Sequence, residues 1–195
     1  MMSEKIRSFI AIPISKPIKD RILSIILTLH QKSPTRSIKW IEPKNIHLTI
    51  KFLGDSEFDN LNRLAKQIHN RLEKTRSFDL EFSKLGAFPS IKNPRVIWVG
   101  CQINEQITNL FKLIDTICAE NRFMSESKPL SPHITIGRVK SPLREDGVLR
   151  LNDVMTNLKT VELGSQKINN FFLYKSDLKQ GGPIYTPIDE FILIP

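Results

Sequence analysis

The chain has 195 residues, of which 40% are hydrophobic, and it carries a formal net charge of +9. This length and composition predict one globular domain, or two small lobes that share one core, over residues 1–195. They exclude a membrane-spanning helix, because no apolar run approaches the roughly 20 residues that cross a bilayer.

The predicted elements of the first half alternate between strands and helices. Residues 7–14 are short and β-branched, which predicts a strand, and residues 15–32 carry apolar side chains at helical spacing. An extended segment over 38–54 is interrupted by Pro43. The remaining predicted elements of this half are a helix over 56–74 and two strands over 78–89 and 94–100.

The second half of the chain repeats this outline. A helix around 107–114 precedes a short strand over 133–140, a less distinct helix within 141–160, and extended segments over 161–178 and 184–194. The repeated order of elements predicts a diverged internal duplication. Mixed helices and hairpin-like neighbouring strands favour an α+β fold with mostly antiparallel pairing.

The positive charge narrows the class of partner. A basic excess favours a polyanion, and nucleic acid is the commonest one. Because the Lys and Arg residues are scattered along the chain, charge alone leaves a second interpretation open, a lysine-rich surface that is simply well solvated.

The cysteines and the N-terminal stretch indicate the cellular compartment of the protein. Cys101 and Cys118 form neither a CxxC pair nor a metal-ligand spacing, so we expect two small core residues and no disulfide, as in a reducing cytosol. The N-terminal apolar stretch is short, is interrupted by Pro13 and lacks a small-residue cleavage site. It therefore predicts no signal peptide, and we expect a cytoplasmic protein.

Two of the four histidines begin the same pattern. His47 and His133 are each followed by an apolar residue, a threonine and an isoleucine, and two such matches are expected in well under about 1% of shuffled chains. Alternate side chains of a strand share a face, so His47 pairs with Thr49 on one face and His133 with Thr135. The residues expected on the opposite faces are Leu48, Ile50 and Phe52 in the first strand and Ile134 and Ile136 in the second.

Such a pattern suits acid–base chemistry on a phosphate. If the two halves pack about a pseudo-twofold axis, two imidazoles and two hydroxyls meet across one cleft. Histidine titrates at about 6.5, so one neutral ring can take a proton from water while one cationic ring gives a proton to a leaving oxygen. The hydroxyls can donate to phosphate oxygens. We therefore expect neither a metal nor a cofactor, and the spacing leaves open which histidine is the acid.

The two histidines have two other interpretations, a structural role and a metal site. A solitary histidine on a strand is most often a structural residue, and a pair can also hold a metal ion. A metal centre favours an associated carboxylate; Asp55 follows the first motif, but the second has no equivalent before Glu145. His30 and His69 lie beside helical core positions, which favours surface or helix-edge roles for both.

Four blocks resemble the two-histidine phosphoesterase superfamily and, more narrowly, the RNA 2′,3′-cyclic phosphodiesterases, also called 2′-5′ RNA ligases. They are IKWIEPKNIHLTIKFLGD, GAFPSIKNPRVIWVG, SPHITIGRVK and LYKSDLKQGGPIYTPIDEF. The resemblance covers essentially the whole chain from about Arg7. It implies two similar lobes related by a pseudo-twofold axis, each a mostly antiparallel sheet with helices on the outside, around a central cleft. The lobes either interleave or divide roughly at 1–100 and 101–195.

The same resemblance implies metal-independent hydrolysis of RNA 2′,3′-cyclic phosphate ends to 2′-phosphomonoesters. His47 then resembles the proton donor to the leaving 3′ oxygen, His133 the acceptor that activates water, and Thr49 and Thr135 the phosphate-binding hydroxyls. Ligation to a 2′-5′ bond is the reverse chemistry, with a ribose hydroxyl in place of water. Nothing in the sequence suggests an obligate dimer, so we expect a monomer whose partner is RNA.

A basic residue commonly follows the family's second motif, and Arg138 and Lys140 are the candidates here. A guanidinium suits phosphate. Strict alternation nevertheless puts Arg138 opposite His133, unless Gly137 permits a bulge, and a solvated strand end is the alternative.

Two further residues are candidates for the cleft. Lys51 shares the face of His47 by alternation and is a candidate for the cleft mouth. Phe88 could stack a nucleobase, although a core position is the commoner role for such a ring.

Two other functions fit the same residues: a cyclic phosphodiesterase for a small nucleotide, and a non-catalytic RNA-binding module. Binding alone does not require two titratable groups, which favours an enzyme.

Overall fold

The computed structural model describes residues 5–33, 35–125, 129–158 and 162–195. Residues 1–4 of the N-terminal stretch, and residues 159–161 between a predicted helix and a predicted strand, lie outside the described residues. Among the described helices, none is both long and apolar enough to cross a membrane.

The described residues form nine strands, four α-helices and one 3-10 turn. The helices are α1 (Lys16–Lys32), α2 (Phe58–Arg71), α3 (Glu105–Glu120) and α4 (Glu145–Asn157), and the 3-10 turn is Pro43–Asn45. The strands are β1 (Lys5–Pro13), β2 (Ile38–Trp40), β3 (His47–Glu57), β4 (Phe78–Ser90), β5 (Asn93–Cys101), β6 (His133–Val139), β7 (Glu162–Ile168), β8 (Asn170–Lys179) and β9 (Gly182–Ile192).

These strands form two antiparallel sheets, each built from both halves of the chain. One sheet has the order β3-β1-β8-β9, and the other has the order β2-β6-β5-β4-β7. Helices α2 and α3 contact the first sheet, while α1 contacts β7 and α4. Strands β3 and β6, which carry the two histidine motifs, contact each other where the sheets meet. The predicted α+β fold with two lobes is confirmed.

Apolar spacing explains why the helices form and where they pack. Pro17 lies in the first turn of α1, where its missing N–H costs nothing. Asn104 caps α3 by accepting a hydrogen bond from the backbone N–H of Ile107 at 2.9 Å. Fully burying one such aliphatic side chain contributes about 1.5–3 kcal/mol. The buried residues of α1 are Ile18, Ile22, Ile25, Ile26 and Leu29.

Two predicted extended segments each divide between the sheets. The segment 38–54 is broken by the 3-10 turn, so β2 and β3 join different sheets. The segment 161–178 is broken at Asn169, whose carbonyl accepts from Leu193 N at 2.8 Å, and β7 and β8 also join different sheets. Pro43 marks the first break because it lacks a backbone donor. The second break carries no such residue, so side-chain alternation alone could not reveal it.

Candidate active site

Strand β3 contains one extra residue within its histidine motif. Thr49 and Lys51 pair with consecutive residues of β1, so Ile50 has no pairing partner on that strand. A β-bulge of this kind shifts the alternation of side chains by one. The prediction that Ile50 and Phe52 lie opposite His47 is therefore wrong: both border the same cavity as the histidine, and Phe52 is 68% exposed.

The same bulge moves Lys51 away from the cleft mouth. Its side chain is only 7% exposed, and its ammonium lies 2.5 Å from the carboxylate of Asp115 on α3. The residue still borders the cavity, but its charge is neutralised in the interior. The sequence pattern could not reveal this ion pair, because Asp115 belongs to a helix that lies far from Lys51 along the chain.

Strand β6 has an equivalent bulge. Thr135 and Gly137 pair with consecutive residues of β5, which leaves Ile136 without a pairing partner there. Arg138 is thereby turned to the side of His133 and borders the cavity. The extra residue is Ile136 rather than Gly137. A Cβ atom on Gly137 would lie 2.9 Å from the Trp40 ring, so the glycine admits this close packing.

One cavity of about 1080 Å³ is bordered by all five predicted site residues: His47, Thr49, His133, Thr135 and Arg138. Both histidines and both threonines are half-buried, whereas Arg138 is exposed. Within the described part of the chain, neither threonine hydroxyl has a hydrogen-bond partner. Both hydroxyls are therefore available to a ligand in the cavity.

Each histidine is held in the same way by a backbone carbonyl two residues earlier. His47 Nδ1 lies 2.7 Å from the Asn45 carbonyl oxygen, and His133 Nδ1 lies 2.7 Å from the Ser131 carbonyl oxygen. A carbonyl only accepts, so Nδ1 of each ring must carry the hydrogen. Nε2 is then left as the atom that gains or loses a proton, which makes the two rings equivalent acid–base groups.

The 3-10 turn before β3 fixes the first of these carbonyls. Asn45 is buried at the end of the turn, and its side-chain amide donates to the Pro183 carbonyl at 3.1 Å. This bond ties His47 to the β8–β9 hairpin, whose residues Gly182, Pro183 and Tyr185 border the cavity. The sequence pattern around the histidine gave no sign of the hairpin.

Aromatic rings support both imidazoles. The ring centroid of His47 lies 5.0 Å from Phe9 and 5.2 Å from Tyr185, which it meets edge-on. His133 meets Phe88 edge-on at 4.9 Å, with Trp98 at 6.3 Å. Phe88 is half-buried and also borders the cavity.

Of these rings, Phe9, Tyr185 and Trp98 were missed by the sequence analysis. Each lies on a strand other than those of the two motifs. Only their pairing across the sheets reveals them, because no spacing in the sequence connects them to a histidine.

Burial governs the protonation of His47. It lowers the pKa of the ring below the ordinary 6.5, the hydrogen bond with Asn45 opposes this shift, and the charges of Arg138 and Lys19 lower the pKa further. In the ligand-free protein the neutral form of His47 is therefore favoured.

The other titratable residues singled out in the sequence lie elsewhere. His30 is exposed and accepts from Trp40 Nε1 at 3.3 Å, and His69 lies 3.2 Å from the Asp189 carboxylate on the surface. Burial raises the pKa of both cysteine thiols to about 12, which makes them poor nucleophiles. The described ranges contain no group of three or more His, Cys, Asp or Glu side chains that could hold a metal ion.

Comparison with known proteins identifies the family of this chain. The sequence model of the family described as LigT-like phosphoesterase matches the chain twice, at residues 12–98 and 100–185, which confirms the predicted duplication. An RNA 2′,3′-cyclic phosphodiesterase of Methanothermobacter thermautotrophicus is 32% identical over 97% of this chain and 100% of its own length. One of Aquifex aeolicus is 36% identical over 80% of this chain and 81% of its own.

Solved structures show the same fold. Escherichia coli LigT in complex with 3′-AMP superimposes with a TM-score of 0.78 at 22% identity, over 98% of this chain and 100% of that one. The same protein in complex with phosphate gives a TM-score of 0.73 at 22% identity, over 99% and 100%. The family model and the relatives together establish that the chain belongs to the LigT-like phosphoesterases, within the two-histidine phosphoesterase superfamily.

Proposed function

We propose that this protein opens the 2′,3′-cyclic phosphate ends of RNA by general acid–base catalysis and leaves a 2′-phosphomonoester. The observation that carries the proposal is the matched pair of Nδ1–carbonyl bonds beside one cavity. The relatives of Methanothermobacter thermautotrophicus and Aquifex aeolicus are RNA 2′,3′-cyclic phosphodiesterases, which supports this substrate, and the net charge of +9 suits a polyanion.

His133 acts as the base. Its neutral form holds a hydrogen on Nδ1, bonded to the Ser131 carbonyl, and a lone pair on Nε2. The Nε2 atom takes a proton from a water molecule as the water oxygen attacks the phosphorus. Phe88 and Trp98 hold the ring so that the lone pair keeps its direction during the attack.

His47 acts as the acid on the opposite side of the phosphorus. As imidazolium it donates its Nε2 proton to the 3′ oxygen while the bond between that oxygen and phosphorus breaks. The lowered pKa of the ligand-free ring fits an acceptor better than a donor. The donor role therefore requires the bound cyclic phosphate, whose negative charge raises this pKa.

The remaining groups stabilise charge on the phosphoryl oxygens. Thr49 and Thr135 offer hydroxyl donors from the two strands, and Arg138 offers a guanidinium. The products are a 2′-phosphate, a free 3′ hydroxyl, neutral His47 and protonated His133, and exchange with solvent restores both rings. All of these groups come from one chain, so we propose that the monomer is active.

Ligation would use the same groups. When a 5′ hydroxyl of a second RNA replaces water, its proton passes to His133 as its oxygen bonds to phosphorus, and the 3′ oxygen leaves the phosphorus with a proton from His47, giving a 2′-5′ bond. Ligation therefore competes with hydrolysis according to the concentration of the second RNA end.

End-group analysis tests the proposal. A short oligoribonucleotide with a 2′,3′-cyclic phosphate end is incubated with the protein in the presence of EDTA, and the position of the phosphate in the product is determined. We expect a 2′-phosphate and full activity in the chelator. A 3′-phosphate product, or binding without turnover at any pH, would refute it.

Histidine variants complete the test. Asparagine in place of either ring can still donate to the same carbonyl but cannot carry the proton. His47→Asn and His133→Asn are each expected to lower kcat at least about 100-fold, whereas His69→Asn, on the surface of α2, serves as the matched control. Hydrolysis of ADP-ribose cyclic phosphate in preference to RNA ends would favour the small-nucleotide alternative.

A further inference from the structure

We propose that the cleft contains a second phosphate subsite, in which Arg7 binds the phosphodiester that joins the terminal nucleotide to the rest of the RNA. This inference rests on the proposed function. It assigns a role to a side chain that lies outside both histidine motifs.

A second cavity of about 480 Å³ adjoins the main one beyond His47. The two cavities share His47, Phe52, Arg138, Pro183 and Tyr185. His133 borders the main cavity but not the second one. The cleft therefore extends past one histidine, on the side of the first sheet.

The second cavity has the character of an anion site. Arg7 and Arg138 both border it, together with the hydroxyl-bearing residues Ser8, Ser176 and Tyr185. Among the described residues that border this cavity, none is acidic. Such a lining offers charged and neutral donors to a phosphodiester.

The charge of Arg7 is available to a ligand. Asp55 is its register neighbour on β3, but the two side chains form no ion pair, and Arg7 forms none elsewhere within the described ranges. Burial raises the pKa of the Tyr185 phenol, and the charges of Arg138 and Arg7 oppose that shift. Both guanidinium groups therefore act at the hydroxyl of Tyr185.

Stereochemistry places the rest of the RNA on this side. Water attacks from His133, in line with the bond to the 3′ oxygen, which leaves beside His47. The ribose carries that oxygen, so the sugar lies nearer to His47 than the attacking water does. The 5′ chain leaves the ribose at C4′, next to C3′, and the following phosphodiester then enters the space beyond His47. Of the two arginines that border this space, Arg7 is the one that does not also border the main cavity.

Two small substrates isolate this contact. The first is a nucleoside 2′,3′-cyclic phosphate with a free 5′ hydroxyl, and the second carries a 5′ methyl phosphodiester in addition. We expect the wild-type protein to show a kcat/KM about tenfold or more higher for the second substrate, as for one charge-assisted hydrogen bond. In Arg7→Met this ratio should fall to about one.

Control variants separate binding from folding. Arg63→Met removes an exposed arginine of α2 that borders neither cavity and should keep the wild-type ratio. Arg7→Lys retains the positive charge, so its ratio of kcat/KM values should lie between one and the wild-type ratio. Thermal unfolding of each variant shows whether the fold is intact.

Each outcome decides a distinct point. A wild-type ratio of one, an unchanged ratio in Arg7→Met, or an equal loss on both substrates would overturn the subsite while leaving the proposed function standing. No hydrolysis of either substrate by the wild-type protein would overturn the proposed function and the subsite together.

Discussion

Phe52 and Arg138 occupy equivalent positions in the two halves of the cleft. Each follows its histidine by five residues, and each is returned to the histidine's side by a one-residue bulge. Both border the main cavity and the adjoining one. The duplication has thus kept the backbone geometry while placing an aromatic ring in one half and a guanidinium in the other.

Removing the guanidinium should affect the chemical step. In Arg138→Gln the phosphoryl oxygens lose a charged donor, so we expect kcat to fall about 100-fold. Steady-state kinetics on a cyclic-phosphate oligonucleotide measure this change. A rise in KM alone would instead mean that Arg138 only holds the substrate.

Removing the equivalent ring should affect binding. Phe52 is 68% exposed at the cleft, where it can stack on a base, and such stacking contributes about 1–3 kcal/mol. We expect Phe52→Ala to raise KM for RNA ends about tenfold with kcat unchanged, and Phe52→Tyr to retain the wild-type KM. Equal KM values for all three proteins would exclude a contact with the substrate.

The lowered pKa of His47 predicts a dependence of stability on pH. The stabilising contribution of the neutral ring is complete above 6.5 and is lost as the pH falls from 6.5 through the lowered pKa of the folded ring, since the unfolded chain binds a proton in this range more readily than the folded protein does. Relative to His47→Asn, the wild-type protein should lose free energy of unfolding between pH 7.5 and pH 5. Urea titrations at several pH values measure the difference.

A bound anion should reverse the lowering of the His47 pKa. Inorganic phosphate in the cavity should raise the pKa of His47, because its negative charge favours the imidazolium form. Titration of the imidazole C–H signals by NMR, with and without phosphate, measures the change. A pKa of His47 that is unaffected by saturating phosphate would contradict its assignment as the proton donor.

The Lys51–Asp115 ion pair predicts an asymmetric loss of stability. Lys51 is 7% exposed and Asp115 is 31% exposed. Asp115→Asn leaves a buried ammonium without its counter-ion and should cost about 3 kcal/mol. Lys51→Met leaves a carboxylate that water can reach and should cost less, so equal losses in chemical denaturation would contradict the interpretation.

Gly86 should not tolerate substitution, because the Trp98 ring packs against it. A Cβ atom there would lie 2.1 Å from Cζ2 of the indole, and the indole in turn lies beside His133. Gly86→Ala should displace the ring, destabilise the protein by about 1–3 kcal/mol and lower kcat. Gly147→Ala in α4 is the matched control, since among the described residues its Cβ would meet only Leu143, at 3.9 Å.

The sequence predicted the helices and the two histidine strands because their apolar periodicity is local. It could not predict the faces of Phe52 and Lys51, since one extra residue in a strand reverses alternation and leaves no mark in composition. The prediction for Arg138 left both faces open for the same reason. Tyr185 and Arg7 border the site only because β1 and β9 join the sheet of β3, and such pairing connects residues far apart along the chain.

The exchange of strands between the halves has a consequence for assembly. A break between β5 and α3 would leave one peptide with β1 to β5 and another with β6 to β9, so each sheet would lack members and each peptide would carry only one of the two histidine motifs. Neither piece could hydrolyse a cyclic phosphate alone, and activity would return only when both were mixed and had refolded together. Catalytic competence therefore depends on both halves of the chain being folded together, and neither half supplies a complete sheet or a complete site.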